Sequence, residues 1–365
     1  MPTVQDVINH LESIAPPAYQ ESYDNSGLIV GHPETEVTGV LVCLDSVESI
    51  IEEAIQKKCN LVIAHHPIVF SGLKKINGKN YVERIVIKAI KNDIAIYAIH
   101  TNLDNVKDGV NRVIAERLGL TDLQVLSPKK DLLKRLVTYC APDKAEDVRE
   151  ALFKVGCGNI GNYDRCSFNM NGTGTFRGNE GSNPVIGKSG QEEKVAEERI
   201  EVVFEGFRQS AVVSALKLVH PYEEVAYSIV PLSNEYQNVG SGMLGRLENP
   251  VDEHSFLVHT KEKMGTASIR HTAFLNKKVS KVAVCGGSGS FLLQDAIRAG
   301  ADVFITADYK YHQFFDADGR ILIADIGHYE SEQFTIQLIS EVISKNFPTF
   351  AVRLTEVSTN PVHYM

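Results

Sequence analysis

Apolar positions along the first 120 residues alternate between two textures. Short continuous runs, GVLVCLD (39–45), LVIAHH (61–66) and IAIYAIH (94–100), read as buried strands. Between and after them, SVESIIEEAIQKK (46–58), YVERIVIKAIKND (81–93) and GVNRVIAERLGL (109–120) space their apolar residues along one helical face. Ser46 is placed to cap the first of these helices, and Thr3 to cap a preceding one carrying Val4, Val7, Ile8, Leu11 and Ile14. The last third repeats the texture. KVAVCGG (281–287), DVFIT (302–306) and ILIADIG (321–327) read as strands with helices between them and after Glu330, and TFAVRLTEV (349–357) as a further strand. Continuous apolar strands separated by amphipathic helices predict an α/β fold, its mostly parallel sheets covered on both faces.

The middle of the chain breaks this rhythm. LKRLVTYCAPDKAEDVREALFKVG reads as strand, loop and helix, and CSFNMNGTGTFRGNEGSNPVIGKSG as a polar loop rich in Gly, Asn and Ser. EERIEVVFEG then alternates as a half-exposed strand, RQSAVVSALKLVH is helical and EVAYSIVPL is a strand. This order fits a small α+β sandwich of the ferredoxin-like kind. The expected organisation is a first α/β half over 1–129, an inserted α+β domain over 130–235 and a second α/β half over 236–365.

Composition narrows the function classes. The chain has 365 residues and a net charge of −9, which argues against a general nucleic-acid binder. SPKKDLLKR, near residue 130, is a short basic cluster best read as a solvated linker. No apolar run approaches the roughly 20 residues that span a bilayer, and the N-terminus lacks the pattern of a signal peptide. Six cysteines without a C-x-x-C pair read as reduced thiols, so the expected compartment is the cytoplasm.

Candidate chemistry gathers at strand ends. His65 and His66 close one apolar run immediately before Pro67, at the carboxyl end where open α/β sheets build their sites. Neighbours on an extended strand face opposite ways, so this pair suits two metal ions better than one. The bland alternative is two hydrogen-bonded histidines at a strand end. A second run ends in HTNLD, bringing His100 and Asp104 to an equivalent edge. A third is followed by His328 and Glu332, whose spacing of four places them on one face of a helix. Singly, Asp104 could cap a helix and Glu332 could complement a helix dipole. Together, imidazoles and carboxylates without a thiolate suit Zn, Mn, Fe or Co better than Ca or Mg. Five ligands exceed what one open catalytic ion usually takes, and a carboxylate such as Glu332 bridging two ions would fit.

Two further stretches qualify. CGGSGSF (285–291) offers Gly287, Ser288 and Gly289 as a candidate anion site, although a tight turn needing small residues explains them equally well. TADYKYHQFFDA sets Asp308, Lys310 and His312 after a strand; His312 is either an acid–base group at the rim of the site or a surface histidine. HPYEE (220–224) reads as turn and exposed charge.

Taken together, YDNSGL (23–28), AHHP (64–67), HTNLD (100–104), CGGSGS (285–290), TADYKYH (306–312) and GHYESE (327–332) resemble the Nif-three-like family, the GTP cyclohydrolase type 2 homologues. GNIGNYDRCSFNMNGTGTF and HPYEEVAY resemble its longer bacterial members, whose inserted domain is similar to PII and CutA. The likeness runs through the whole chain. It departs at Tyr23, where the family often has Trp, and at Ala307, where it often has Gly. The resemblance implies a two-metal centre at His65, His66, Asp104, His328 and Glu332, and a toroidal homohexamer. Its name implies opening of the GTP ring with release of formate. The expected function is therefore metal-dependent hydrolysis of a nucleotide or related small molecule, with His312 or His100 as acid–base group. The alternative is a non-enzymatic metal-handling or regulatory protein that senses through its PII-like insert.

Overall fold

The computed structural model describes residues 1–365. Helix α1 (Val4–Ile14) opens the chain, and Thr3 caps it reciprocally with Asp6, each accepting from the other's backbone N–H. Strands β1 (Gly27–Val30), β2 (Gly39–Asp45), β3 (Leu61–His66) and β4 (Ala95–Ala98) follow, with α2 (Glu48–Gln56) and α3 (Tyr81–Lys91) as crossovers. β2, β3 and β4 run parallel, while β1 pairs antiparallel with β4 at one edge. Val40 to Cys43 and Leu61 to Ala64 are fully buried, as continuous apolar runs require. Helix α2 starts two residues later than expected: Val47 takes the N-cap position, without a side-chain cap, and Ser46 is buried with its hydroxyl unpaired. Short helices α4 (Thr101–Asp104) and α5 (Val110–Arg117) then lead into β5 (Thr121–Lys129).

By its contacts the chain divides into two compact units, Met1–Ser127 with Asn238–Met365, and Pro128–Gln237. The second unit is a β-α-β-β-α-β succession: β6 (Leu133–Cys140), α6 (Ala145–Lys154), β7 (Phe168–Arg177), β8 (Glu192–Glu205), α7 (Gln209–Val219) and β9 (Tyr227–Leu232). Its sheet is antiparallel in the order β7-β8-β6-β9. Leu136, Ile200, Val202 and Phe204 of the sheet pack with Val148, Leu152, Val212 and Leu216 of the helices. β7 lies in the stretch expected to be a loop. Its first six residues are exposed, so ladder bonds to β8 rather than an apolar face define it.

The first unit resumes with β10 (Tyr236–Asp252), α8 (Glu253–Met264), β11 (Arg270–His271), β12 (Lys278–Ser288), α9 (Leu293–Arg298), β13 (Val303–Ala307) and β14 (Leu322–Asp325). They form a sheet in the order β11-β14-β13-β12-β10-β5, parallel through β12, β13 and β14. After α10 (His328–Glu332) and α11 (Thr335–Asn346), β15 (Ala351–Leu354) returns to the first sheet, parallel to β2. α11 touches both β2 and β15, and α5 touches β12, so these helices join the two sheets. The carboxyl ends of β2, β3, β4, β12, β13 and β14 supply the site described next. No helix is long and apolar enough to cross a membrane.

Candidate metal centre

Four imidazoles meet at the strand ends, and each is held by its Nδ1. His65 donates from Nδ1 to the Ile99 carbonyl at 2.8 Å. The Nδ1 of His66 bonds Asp45 Oδ1 at 2.7 Å, that of His100 bonds Asp24 Oδ1 at 2.7 Å and that of His328 bonds Asp308 Oδ2 at 2.6 Å. Carbonyl and carboxylate oxygens accept, so the Nδ1 atoms carry the protons. That leaves the Nε2 atoms as the inward-facing groups, the arrangement that orients histidine ligands in metal sites. Although β3 alternates, its two histidines sit at its last positions and their ring centroids are only 4.9 Å apart. His100 lies 5.3 Å from both rings.

One carboxylate oxygen occupies the middle. Glu332 Oε2 lies 2.9 Å from His66 Nε2, 3.0 Å from His328 Nε2 and 4.0 Å from His65 Nε2. Asp104 Oδ1 is 3.5 Å from His65 Nε2. The local backbone makes this approach feasible. Gly287 has φ +60°, and a Cβ there would come within 2.4 Å of Glu332 Oε1. Its N–H donates to Ser331 Oγ at 2.9 Å, and the Gly286 N–H donates to Asn111 Oδ1 at 2.9 Å. The glycine stretch therefore makes room for α10, with the N–H groups of Gly286 and Gly287 engaged by side chains. Ser288 faces the cavity, and Gly289 packs where a Cβ would meet Thr306 Oγ1.

Electrostatics divide the cluster. Burial pushes His65 down to about 3, so it is neutral. Burial also opposes charge on His66 and His328, but hydrogen bonds and charge from Asp45 and Glu332 raise His66 to about 10. Glu332 and Asp308 raise His328 to about 11. Burial would raise Glu332, yet His328 and His66 hold it well below the usual carboxylate range. Burial and the charge of Glu332 push Asp104 well above it. Two buried atoms, His65 Nε2 and Asp104 Oδ1, have no hydrogen-bond partner. Such orphans cost about 1–3 kcal/mol each, and a cation facing both would satisfy both. The donor set thus fits divalent metal. Ligand atoms within 4.8 Å of one another group as His65, Asp104 and Glu332; His66, His328 and Glu332; and His65, His66 and His100.

All five expected metal residues therefore meet in one place. Of the two acid–base candidates, His100 lines the cavity of about 790 Å³ above the cluster. His312 is exposed in a 3₁₀ turn, packs beside Tyr311 and Phe315, and does not line that cavity. Sequence reasoning missed Asp45 and Asp24. The former was detectable as an acid closing a buried strand, and parallel register sets it beside His66. The latter belongs to YDNSGL; its carboxyl sits below the ordinary range because hydrogen bonds from His100 and Thr101 outweigh its burial.

Fold and site together define an α/β protein with a histidine–carboxylate cluster at its strand ends, chemically equipped to hold metal. The chain belongs to the Duf34/NIF3 (NGG1p interacting factor 3) family, whose model matches residues 2–361. It is 39% identical to a Bacillus subtilis protein called GTP cyclohydrolase 1 type 2 homolog, over 99% of this chain and 98% of that one. A protein of the same name from Halalkalibacterium halodurans is 41% identical, over 93% of this chain and 92% of its own. The crystal structure of a Bacillus cereus protein related to NIF3 superimposes with a TM-score of 0.87 at 37% identity, covering 100% of this chain and 99% of that chain.

Proposed function

We propose that this protein is a two-metal hydrolase of a nucleotide or related small molecule. His65, Asp104 and Glu332 would hold one divalent ion, and His66, His328 and Glu332 the other. The observation that carries this reading is the convergence of three Nε2 atoms on Glu332 Oε2 beside the unpaired His65 Nε2 and Asp104 Oδ1. Two such ions would lower the pKa of bound water and polarise the bond to be broken. The remaining work falls to the chain. His100, oriented at Nδ1 by Asp24, presents Nε2 toward the cluster and is the acid–base group that exchanges a proton with substrate. The cavity of about 790 Å³ lies within the size range of small-molecule sites. GTP is the first substrate to test, because the relatives' name carries it. The homohexamer belongs to the same proposal, and sedimentation measures it directly.

The experiment loads purified protein separately with Zn, Mn, Fe and Co, counts bound ions and screens nucleotides, GTP first, for product by mass spectrometry. Turnover that disappears in His65→Ala supports the proposal. Bound metal with no turnover would leave a metal-handling role, and equal turnover by His65→Ala would remove the centre from the reaction.

A further inference from the structure

The C-terminal tail reaches the centre described above. After β15 the chain runs on to Thr359, whose Oγ1 donates to Asp45 Oδ2 at 2.6 Å. The other oxygen of that carboxylate holds His66 Nδ1 at 2.7 Å, and His66 Nε2 faces Glu332 at 2.9 Å. Asn360 donates from Nδ2 to Glu330 Oε1 at 3.0 Å, on α10 between His328 and Glu332. The Val362 N–H returns to Asn360 Oδ1 at 3.0 Å, which fixes the turn of the tail. Asn360, Pro361, Val362 and Tyr364 then form part of the cavity wall. Tyr364 packs against Gly327, where an added Cβ would come within 3.2 Å of the tyrosine hydroxyl.

We propose that the tail is a working part of the centre, with Thr359 as a positioning residue for His66. A carboxylate can rotate about its last bond, and a hydrogen bond on each oxygen removes that freedom. Thr359 therefore fixes the plane of Asp45, Asp45 fixes the His66 ring, and the direction of Nε2 follows. No equivalent tail contact reaches His65, whose Nδ1 is held by the Ile99 carbonyl. The effect of Thr359 is accordingly one-sided: it supports the ion at His66 and His328 and leaves the ion at His65 and Asp104 alone.

This inference rests on the two-metal reading, and the test separates them. Full-length wild type, Thr359→Val, Thr359→Ser and a chain ending at Ser358 are loaded with Mn. Bound ions are counted by elemental analysis, and affinities are measured by chelator competition. Two ions on the wild type support the two-metal reading; fewer than two overturn it and this inference with it. Given two, Thr359→Val is expected to weaken one by about 10-fold, the low end for groups that orient ligands, and to leave the other unchanged. Thr359→Ser keeps the hydroxyl and should restore wild-type affinity. The shortened chain should match or exceed the loss in Thr359→Val. Wild-type affinity for both ions in Thr359→Val and in the shortened chain would overturn the proposal. So would equal weakening of both ions in Thr359→Val, or a Thr359→Ser variant as weak as Thr359→Val. Thermal unfolding of the metal-free variants shows that they fold.

Discussion

The two sides of the centre are built differently. His65 and Asp104 are buried with unpaired atoms, and His65 is neutral. His66 and His328 are each clasped between carboxylates, Asp45 and Glu332 for the first and Asp308 and Glu332 for the second. Without metal, the second side meets its hydrogen-bonding demand with protons. The first side has nothing to satisfy it. A cation therefore meets a neutral, unpaired Nε2 at His65 and displaces a proton only at Asp104, whereas at His66 and His328 it must displace a proton from each imidazole.

The largest test of this contrast removes what the two sides share. Glu332→Gln should weaken retention of both ions by at least about 100-fold, since ligands and their close partners each carry tenfold effects or more. Elemental analysis after dialysis checks this, and a variant that keeps one tight ion would show that Glu332 serves one side alone. Next in size, His65→Ala and His66→Ala should each lose one ion and keep the other. If either variant lost both ions, the two sides would be a single cooperative unit.

A smaller effect comes from protons. The native state holds protons on His66 and His328 more tightly than the unfolded chain does. Their stabilisation of metal-free protein is complete below about pH 6.5, and is lost as pH rises through about 10 and 11. His65 works the other way: its neutral form is favoured, and stability falls as pH drops from about 6.5 toward about 3. Metal uptake at His66 and His328 should release protons, with affinity there rising up to about tenfold per pH unit for each proton displaced. Calorimetry in buffers of different ionisation enthalpy reads this directly, and zero proton release on that side would contradict the contrast. Smallest is Asp308→Asn, expected to cost about 10-fold for the ion at His328 and nothing for the ion at His65. Chelator competition would show it, and an equal loss on both sides would count against the division.

The candidate metal residues were legible because each lies at or just past the end of an apolar run, and strand ends of α/β sheets are where loops converge. His328 and Glu332 were legible as a pair because helical spacing of four is local. Asp45 was harder to see. Its partner His66 lies on the neighbouring strand, and only the parallel register brings them together. β7 escaped because a strand without a buried face shows no apolar alternation. β15 was expected as a strand, but nothing local states that it pairs with β2.

By itself, the sequence determined the α/β rhythm, the strand ends carrying candidate ligands and the family motifs. All of these depend on residue types and spacings within a few turns of chain. Tertiary structure alone decided that Glu332 sits between the histidines, that Gly287 yields the space for it, and that Thr359 reaches Asp45. Those contacts join residues up to 314 positions apart, and their geometry is set by sheet register and helix packing, which no local pattern encodes.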